Sequence, residues 1–363
     1  MTTEAQVDLP DATPPELVNR VVISVDAMGS DMGPASVVAG CALSARKNPD
    51  IGFILHGRKD ELEPLVAKRG LGDRCVIHDA PDVVTMDTKP SAIMRRGGGT
   101  SMWSAIDSVR NGEATVAVSC GNTGALMALS MVRLRKLPGV SRPAIACLWP
   151  SQSETGYAVM LDVGADIRAD EHDLLQYARM GASYARNGLG IQRPRVGLLN
   201  VGTEEHKGRP ELKAAQALIS EGEASGKYEF VGFIEGGDIP SGAVDVIVTD
   251  GFTGNIALKT AEGTASLIRD LLKQAFRHTF LSRMAAILAL TSMRRLSKRI
   301  DPRRVNGGVF LGLNGTIVKS HGSADPTGVS AAIKLAFQLA QAGFSRRLAD
   351  TVASTSPSRQ DMP

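Results

Sequence analysis

Aromatic residues make up only 4% of this 363-residue chain, and tryptophan occurs just twice. So few rings argue against a protein that grips nucleic acid by stacking on its bases, and no nucleic-acid partner is expected. Cysteine is equally sparse. Cys41, Cys75, Cys120 and Cys147 are scattered, with no C-x-x-C pair and no secretory leader upstream, which points to a reduced, cytoplasmic setting. The six histidines show no H-E-x-x-H or similar spacing, so neither a metal nor another cofactor is expected. No apolar run approaches the roughly 20 residues needed to span a bilayer. Two nucleotide-binding signatures are missing as well: no G-x-G-x-x-G follows the first strand, and there is no Walker A lysine loop.

What the chain does have is aliphatic residues and glycine: 43% hydrophobic content and 38 glycines. This composition suits an α/β sheet with many tight turns and a core large enough for one big domain. Short β-branched runs at Val21 to Val25, Ile51 to Leu55, Cys75 to His78, Val116 to Ser119, Ala158 to Leu161, Val196 to Leu199, Phe230 to Ile234, Val246 to Val248 and Gly312 to Lys319 read as strands, and stretches of helical period separate them. The repeated order of strand, polar glycine loop and helix implies a three-layer α/β/α fold. Its sheet should be mostly parallel, with the loops gathered along one edge. Residues 1–19, with three prolines and no apolar period, are expected to be a mobile tail, and so is 346–363. This leaves a single domain over 20–345.

The loops carry the chemistry-bearing residues. Val246 to Lys259 reads V-I-V-T-D-G-F-T-G-N-I-A-L-K, a buried strand breaking into a loop with Thr253 and Gly254 and restarting as a helix near Asn255. Such a junction presents unpaired backbone N–H groups to an anion. Asn255 could cap that helix or aim its amide at a ligand. The same G-x-T-G pattern recurs at Gly121 to Gly124, where Asn122 and Thr123 follow a strand. Asp26 and Gly29 follow the first strand, Asp162 another, and Asn200, Thr203 and Lys207 a third. Asp26 reads either as a turn carboxylate or as a ligand group at a strand's C-terminal edge. Lys207 is the one lysine in these loops, placed between glycine turns as an anion clamp. Cys120 would gain nucleophilicity from a helix N-terminus, but with no base beside it a small buried filler is the better reading. A sheet edge rich in N–H donors, with one lysine and no nucleophile–base pair, suits an anionic substrate that brings its own nucleophile, such as inorganic phosphate.

Charge is uneven along the chain. The formal net charge is +3, yet Arg269 to Arg304 holds ten Lys/Arg against two Asp/Glu. Within this basic segment Met284 to Leu290 is uninterruptedly apolar and includes Ile287 and Leu288, flanked by Arg294, Arg295, Lys298 and Arg299. A helical protrusion over about 265–307 is expected. Its apolar centre is either a packing seam, as at a dimer interface, or a tip that touches a membrane surface.

Six motifs in register, V-D-A-M-G-S-D-M-G-P (25–34), G-N-T-G-A-L-M (121–127), L-D-V-G-A (161–165), N-V-G-T-E-E-H-K-G (200–208), V-T-D-G-F-T-G-N (248–255) and K-S-H-G-S-A-D (319–325), closely resemble the phosphate acyltransferase family of bacterial phospholipid synthesis. The likeness runs in order from about Val21 to Ala342. It implies reversible transfer of a fatty acyl group from acyl carrier protein to inorganic phosphate, a fold related to phosphotransacetylases and the isocitrate dehydrogenase type, a homodimer and no metal. It also implies a functional link to a membrane glycerol-3-phosphate acyltransferase, and under it the basic segment with Arg294, Arg295, Lys298 and Arg299 is expected to dock the acidic acyl carrier protein or, with Ile287 and Leu288, to touch the inner face of the cell membrane. Carried over residue by residue, the family's functional lysine falls on Lys207 and its functional asparagine on Asn255, with His321 and the loop residues named above around the substrate. Cys120 stands where an alanine is expected, and His206 varies within its loop. Two other readings are a phosphotransacetylase using coenzyme A thioesters, and a non-catalytic protein that binds acyl carrier protein or a membrane.

Overall fold

The computed structural model describes residues 13–293 and 307–355. The chain opens with alternating strands and helices: β1 (Val21–Asp26), α1 (Pro34–Lys47), β2 (Ile51–Gly57), α2 (Lys59–Arg69) and β3 (Cys75–Asp79). Two helices, α3 (Pro90–Arg96) and α4 (Ser101–Arg110), lead into β4 (Val116–Ser119) and α5 (Thr123–Arg133). The strands β5 (Ala144–Pro150) and β6 (Tyr157–Leu161) form a hairpin ahead of α6 (Glu171–Leu189) and β7 (Arg195–Leu199). Next come α7 (Pro210–Glu221), α8 (Glu223–Gly226), β8 (Glu229–Ile234), β9 (Val246–Val248), the long α9 (Gly251–Arg277) and α10 (Phe280–Leu288). The chain closes with β10 (Gly308–Leu311), β11 (Thr316–Lys319), α11 (Pro326–Gln341) and α12 (Phe344–Thr355).

The helices start where short polar side chains take up orphan N–H groups. Asp170 caps α6 in a reciprocal capping box with Asp173, Asp250 caps α9 through the Thr253 amide, and Asp325 caps α11, with Pro326 at its first position.

All eleven described strands join one sheet in the order β3-β2-β1-β4-β11-β10-β5-β6-β9-β7-β8. Alternate side chains point to opposite layers. Val246 and Val248 enter the larger core with α1, α2, α6, α7, α11 and α12, while Ile247 enters the second core with α3, α4 and α5. The three-layer α/β/α architecture is thus as expected, but the sequence reading missed two strands. β5 contains two alanines and ends in proline, and the four-residue β10 lies ahead of the run expected to be a strand, so neither stands out by composition.

Those two strands correct a second expectation. The pairings of β10 with β11, β10 with β5 and β5 with β6 are antiparallel, whereas the flanking pairings are parallel. The sheet is therefore two parallel wings of opposite direction, and their loops do not gather along one edge. They converge because the wings are staggered along β5. Lys319 at the end of β11 pairs with Gly308, which pairs with Cys147, while Leu161 at the end of β6 pairs with Ala146. The C-terminal ends of both wings meet over the middle of the sheet, the kind of switch point at which open α/β sheets bind ligands.

The ends of the chain also differ from expectation. Leu17 is fully buried, so ordered packing begins ahead of residue 20. After 345 the chain continues as α12 to Thr355, because Leu348 and Val352, one turn apart, bury with Phe344 against α6, where Phe344 meets the Tyr184 ring edge-on at 5.4 Å. The remaining stretches of the expected tails, 1–12 and 356–363, lie outside the described residues. So do Arg294, Arg295, Lys298 and Arg299.

The long α9 buries only Gly251 and Gly254, and α10 buries nothing. Leu267, Ile268, Leu271, Phe280, Leu281, Ile287 and Leu288 are all exposed, Leu288 to 86%. No helix among the described residues is long and apolar enough to cross a membrane.

Candidate active site

Where the wings meet lies a cavity of about 530 Å³. Apolar lining comes from Ile145, Leu148, Trp149, Ile167, Phe252 and Leu258. Polar lining comes from Thr123, Asn255, Lys259, Glu262, Lys319 and His321. One stripe of α9, positions 251, 255, 258, 259 and 262, supplies much of the wall at helical spacing.

Asn255 does not cap α9. Asp250 does, its carboxylate accepting the Thr253 amide at 2.8 Å and the Thr253 hydroxyl at 3.1 Å. This leaves Asn255 one turn inside the helix, exposed on the cavity wall beside Gly164, whose added Cβ would lie 3.7 Å from the Asn255 side chain. Gly254 permits that geometry, since a Cβ there would collide with the Asp162 carbonyl oxygen. Thr123, the first residue of α5, and Gly251, the first of α9, both line the cavity, so two helix N-termini border it.

Other expected ligand residues hold the loops in place. Asp26 is buried at the end of β1 and accepts hydrogen bonds from the Ser101 and Ser119 hydroxyls, each at 2.7 Å, and from the Met28 amide at 3.3 Å. Burial pushes its carboxyl above the usual carboxylate range, against those bonds. Its turn-carboxylate reading is the one the geometry supports. Gly29 lets the loop after β1 press on Gly121, where a Cβ would meet the backbone nitrogen at 2.8 Å. Asp162 is fully buried and accepts the amides of Ile145 (2.8 Å), Gly164 (3.2 Å), Ala165 (2.9 Å) and Asp166 (2.6 Å). Asn122 caps α5 by accepting the Ala125 amide at 3.0 Å, and its amide nitrogen donates to the Met86 carbonyl. Asp26, Gly29, Asn122, Gly124, Asp162, Thr253 and Gly254 thus lie outside the cavity lining, and so do Asn200, Thr203 and Lys207.

Lys207 instead lies at 2.8 Å from Glu204 in the loop after β7, its ammonium strengthened chiefly by that hydrogen bond. Asn200 organises this loop from below, donating to the Lys207 carbonyl at 3.3 Å. Gly208 has φ +89, and a Cβ there would strike the Asn200 side chain, so only glycine fits. Arg209, next in the chain, is ion-paired with the α9 cap Asp250 and so ties the Lys207 loop to the helix that carries Asn255. Cys120 is a buried filler, as expected, its thiol pushed up to about 11 chiefly by burial.

Sequence reasoning missed Lys259, Glu262, Lys319 and Arg209. The Glu262 carboxylate lies 3.0 Å from His321 Nε2 and 2.8 Å from Lys259 Nζ. Burial works against its ionisation, but the hydrogen bonds and charges of His321 and Lys259 together outweigh it and hold the carboxyl at about 2. The seven-residue interval from Asn255 to Glu262, two turns of one helix face, was the available signal.

This arrangement, two opposed parallel wings with a cavity where they meet, is an α/β fold of the phosphotransacetylase type. The structure is similar to a phosphotransacetylase from Streptococcus pyogenes, with TM-score 0.59 and 17% identity over 89% of this chain and 94% of that one. It is also similar to a branched-chain phosphotransacylase from Enterococcus faecalis V583, with TM-score 0.57 and 14% identity over 88% and 99%. The family follows from the sequence: residues 21–347 match the model described as fatty acid synthesis protein, and the chain belongs to that family. A phosphate acyltransferase from Dinoroseobacter shibae is 70% identical over 99% of this chain and 93% of its own length, and one from Paracoccus denitrificans is 71% identical over 92% and 91%. The protein is an acyltransferase.

Proposed function

We propose that the protein reversibly transfers a long-chain fatty acyl group from acyl carrier protein to inorganic phosphate, giving the acyl phosphate used in phosphatidic acid and phospholipid synthesis. The observation that carries this reading is the high identity, over nearly the whole chain, to phosphate acyltransferases. The mixed lining of the cavity supports it: its apolar side chains suit the acyl chain, and its polar side chains with two helix N-termini suit an anion.

In this mechanism a phosphate oxygen attacks the thioester carbonyl carbon directly. The C–S bond breaks as the tetrahedral intermediate collapses, and the carrier thiolate leaves with the bonding pair. The Asn255 amide holds the oxyanion, while Lys207 neutralises the incoming phosphate from the adjoining loop. His321, Thr123 and the loop residues around them shape the phosphate end.

The acidic carrier protein docks on the basic segment around Arg294, Arg295, Lys298 and Arg299, with association that weakens as salt rises. The exposed apolar faces of α9 and α10 support a homodimer and a peripheral contact with the inner face of the cell membrane, Ile287 and Leu288 at its tip. The reactive product passes to a membrane glycerol-3-phosphate acyltransferase.

The test is to incubate the purified protein with palmitoyl-acyl carrier protein, with and without phosphate and with EDTA present, and to trap acyl phosphate with hydroxylamine. Phosphate-dependent, EDTA-resistant hydroxamate is expected. Turnover with coenzyme A thioesters alone would move the donor assignment, and no turnover with either thioester would remove the enzymatic reading.

A further inference from the structure

Lys319 is the last residue of β11, at the register where the two wings meet, and its side chain lines the cavity. Its ammonium donates to the Ser320 carbonyl and lies 3.3 Å from the Cys120 carbonyl. An ammonium carries three donors, and these two carbonyls account for two of them. Among the described residues no carboxylate lies within the 4.0 Å of an ion pair. The other lysine on the wall, Lys259, is by contrast neutralised by Glu262 at 2.8 Å. A half-buried cation without a paired anion is costly. Here it faces a cavity bordered by the N-termini of α5 and α9, which favour the same sign of ligand.

We propose that Lys319 is a ligand of the acceptor phosphate, gripping the anion at the end of β11 in the cavity that Asn255 also lines. The proposal rests on the function proposed above and deepens it. Lys207 meets the anion from the neighbouring loop, whereas Lys319 holds it on the central strand where it must sit to attack a thioester carbonyl beside Asn255.

The position also makes binding sensitive to pH. Burial pulls the Lys319 ammonium down to about 8, while Asp26 and Asp31 act to raise it and the charge of Lys259 to lower it. Cys120 stays a neutral thiol through this range, because burial pushes it to about 11, and Glu262 stays ionised because its carboxyl is held at about 2. His321 is the remaining titratable group on this wall. Phosphate affinity should therefore fall as Lys319 loses its proton above about pH 8.

The experiment measures KM for inorganic phosphate and for the acyl donor from about pH 7.5 to about pH 9.5 in wild type, Lys319→Met, Lys319→Arg and His321→Asn. In wild type, KM for phosphate should rise across this range while KM for the acyl donor stays level. Lys319→Met should raise KM for phosphate about tenfold or more, the effect of one charge-assisted hydrogen bond. Lys319→Arg, which keeps its charge, should flatten the pH dependence, and His321→Asn should leave the rise in place. An unchanged KM for phosphate in Lys319→Met, or a flat wild-type profile, overturns the proposal. Equilibrium binding of inorganic phosphate, followed by phosphorus NMR on wild type and Lys319→Met, reads the same contact without turnover. If no thioester donor supports turnover yet phosphate binding still depends on Lys319, the function proposed above fails and the anion site stands.

Discussion

Lys319 and Leu161, the last residues of β11 and β6, end oppositely directed strands within one residue of the same level. Lys319 faces Gly308, Gly308 faces Cys147, and Leu161 faces Ala146 on the same strand β5. Loops that leave opposite ends of their own wings therefore open into one cavity, and the KSHG loop after β11 meets α9 where His321 lies 3.0 Å from Glu262. This stagger, rather than a common edge, brings Thr123, Asn255 and His321 together.

Asn255 is exposed on the cavity wall and is not needed to start α9, which Asp250 caps. Asn255→Ala should therefore lower kcat by about 100- to 1000-fold, the usual cost of losing one oxyanion donor, with little change in melting temperature. Steady-state kinetics beside a thermal melt checks this. A kcat within a few-fold of wild type would remove the oxyanion role.

Lys207 is held by Glu204 at 2.8 Å, so if it binds phosphate as proposed, the anion competes with an internal carboxylate for the same ammonium. Lys207→Ala should raise KM for phosphate and lower kcat. Glu204→Gln should lower KM for phosphate, because the lysine loses its resident partner. Salt titration of KM provides the check, since the exposed pair is screened by added ions. Equal effects on KM for phosphate and for the acyl donor would place Lys207 outside the phosphate site.

Much of this fold was legible in the sequence, because β-branched runs such as Val246 to Val248 and caps such as Asp170 and Asp325 have purely local causes. Asn255, Thr123 and His321 were legible as cavity residues through their motifs. The roles of Asp26 and Asp162 were not. A carboxylate at a strand end looks the same whether it meets a ligand or a ring of backbone amides. Only the fold shows that the amide of Ile145, on the neighbouring strand β5, donates to Asp162. The wings' opposite direction was hidden for the same reason, since it depends on β5 and β10, whose pairing is set by partners distant in sequence.

Asp162 holds the turn that places Gly164 beside Asn255. Asp162→Asn would set an amide N–H against the Ala165 or Asp166 amide, leaving buried donors unpaired. A loss of about 3 kcal/mol in unfolding free energy is expected, measured by urea denaturation, together with a fall in kcat as Gly164 shifts. Stability equal to that of wild type would show that the turn holds without the carboxylate.

The exposed Leu267, Ile268 and Leu271 lie along one side of α9, and Phe280 and Leu281 open α10. If a second copy covers these faces, Leu267→Glu with Leu271→Glu should shift the protein from dimer to monomer. Sedimentation velocity checks the mass. A wild-type monomer at micromolar concentration would reassign these faces to a lipid surface, and the same variant should then lose binding to anionic vesicles.

Glu262 ties α9 to the loop after β11 through His321 at 3.0 Å, and the carboxyl is held at about 2, below its ordinary 4.5. A carboxyl that is more acidic in the folded chain than in the unfolded one stabilises the fold above about 4.5, and that contribution fades as pH falls towards about 2. Asp26 and Asp162 act in the opposite sense. Burial raises both above 3.8, so each favours the fold when protonated and loses that contribution as pH rises through its folded value. The net acid profile of wild type therefore mixes both signs, and only a difference isolates Glu262. Unfolding free energy measured against pH in wild type and Glu262→Gln should give curves that lie apart at about pH 6 and converge between about 4.5 and about 2. Curves that stay parallel through that window would mean the His321 and Lys259 contacts do not hold the carboxylate in solution.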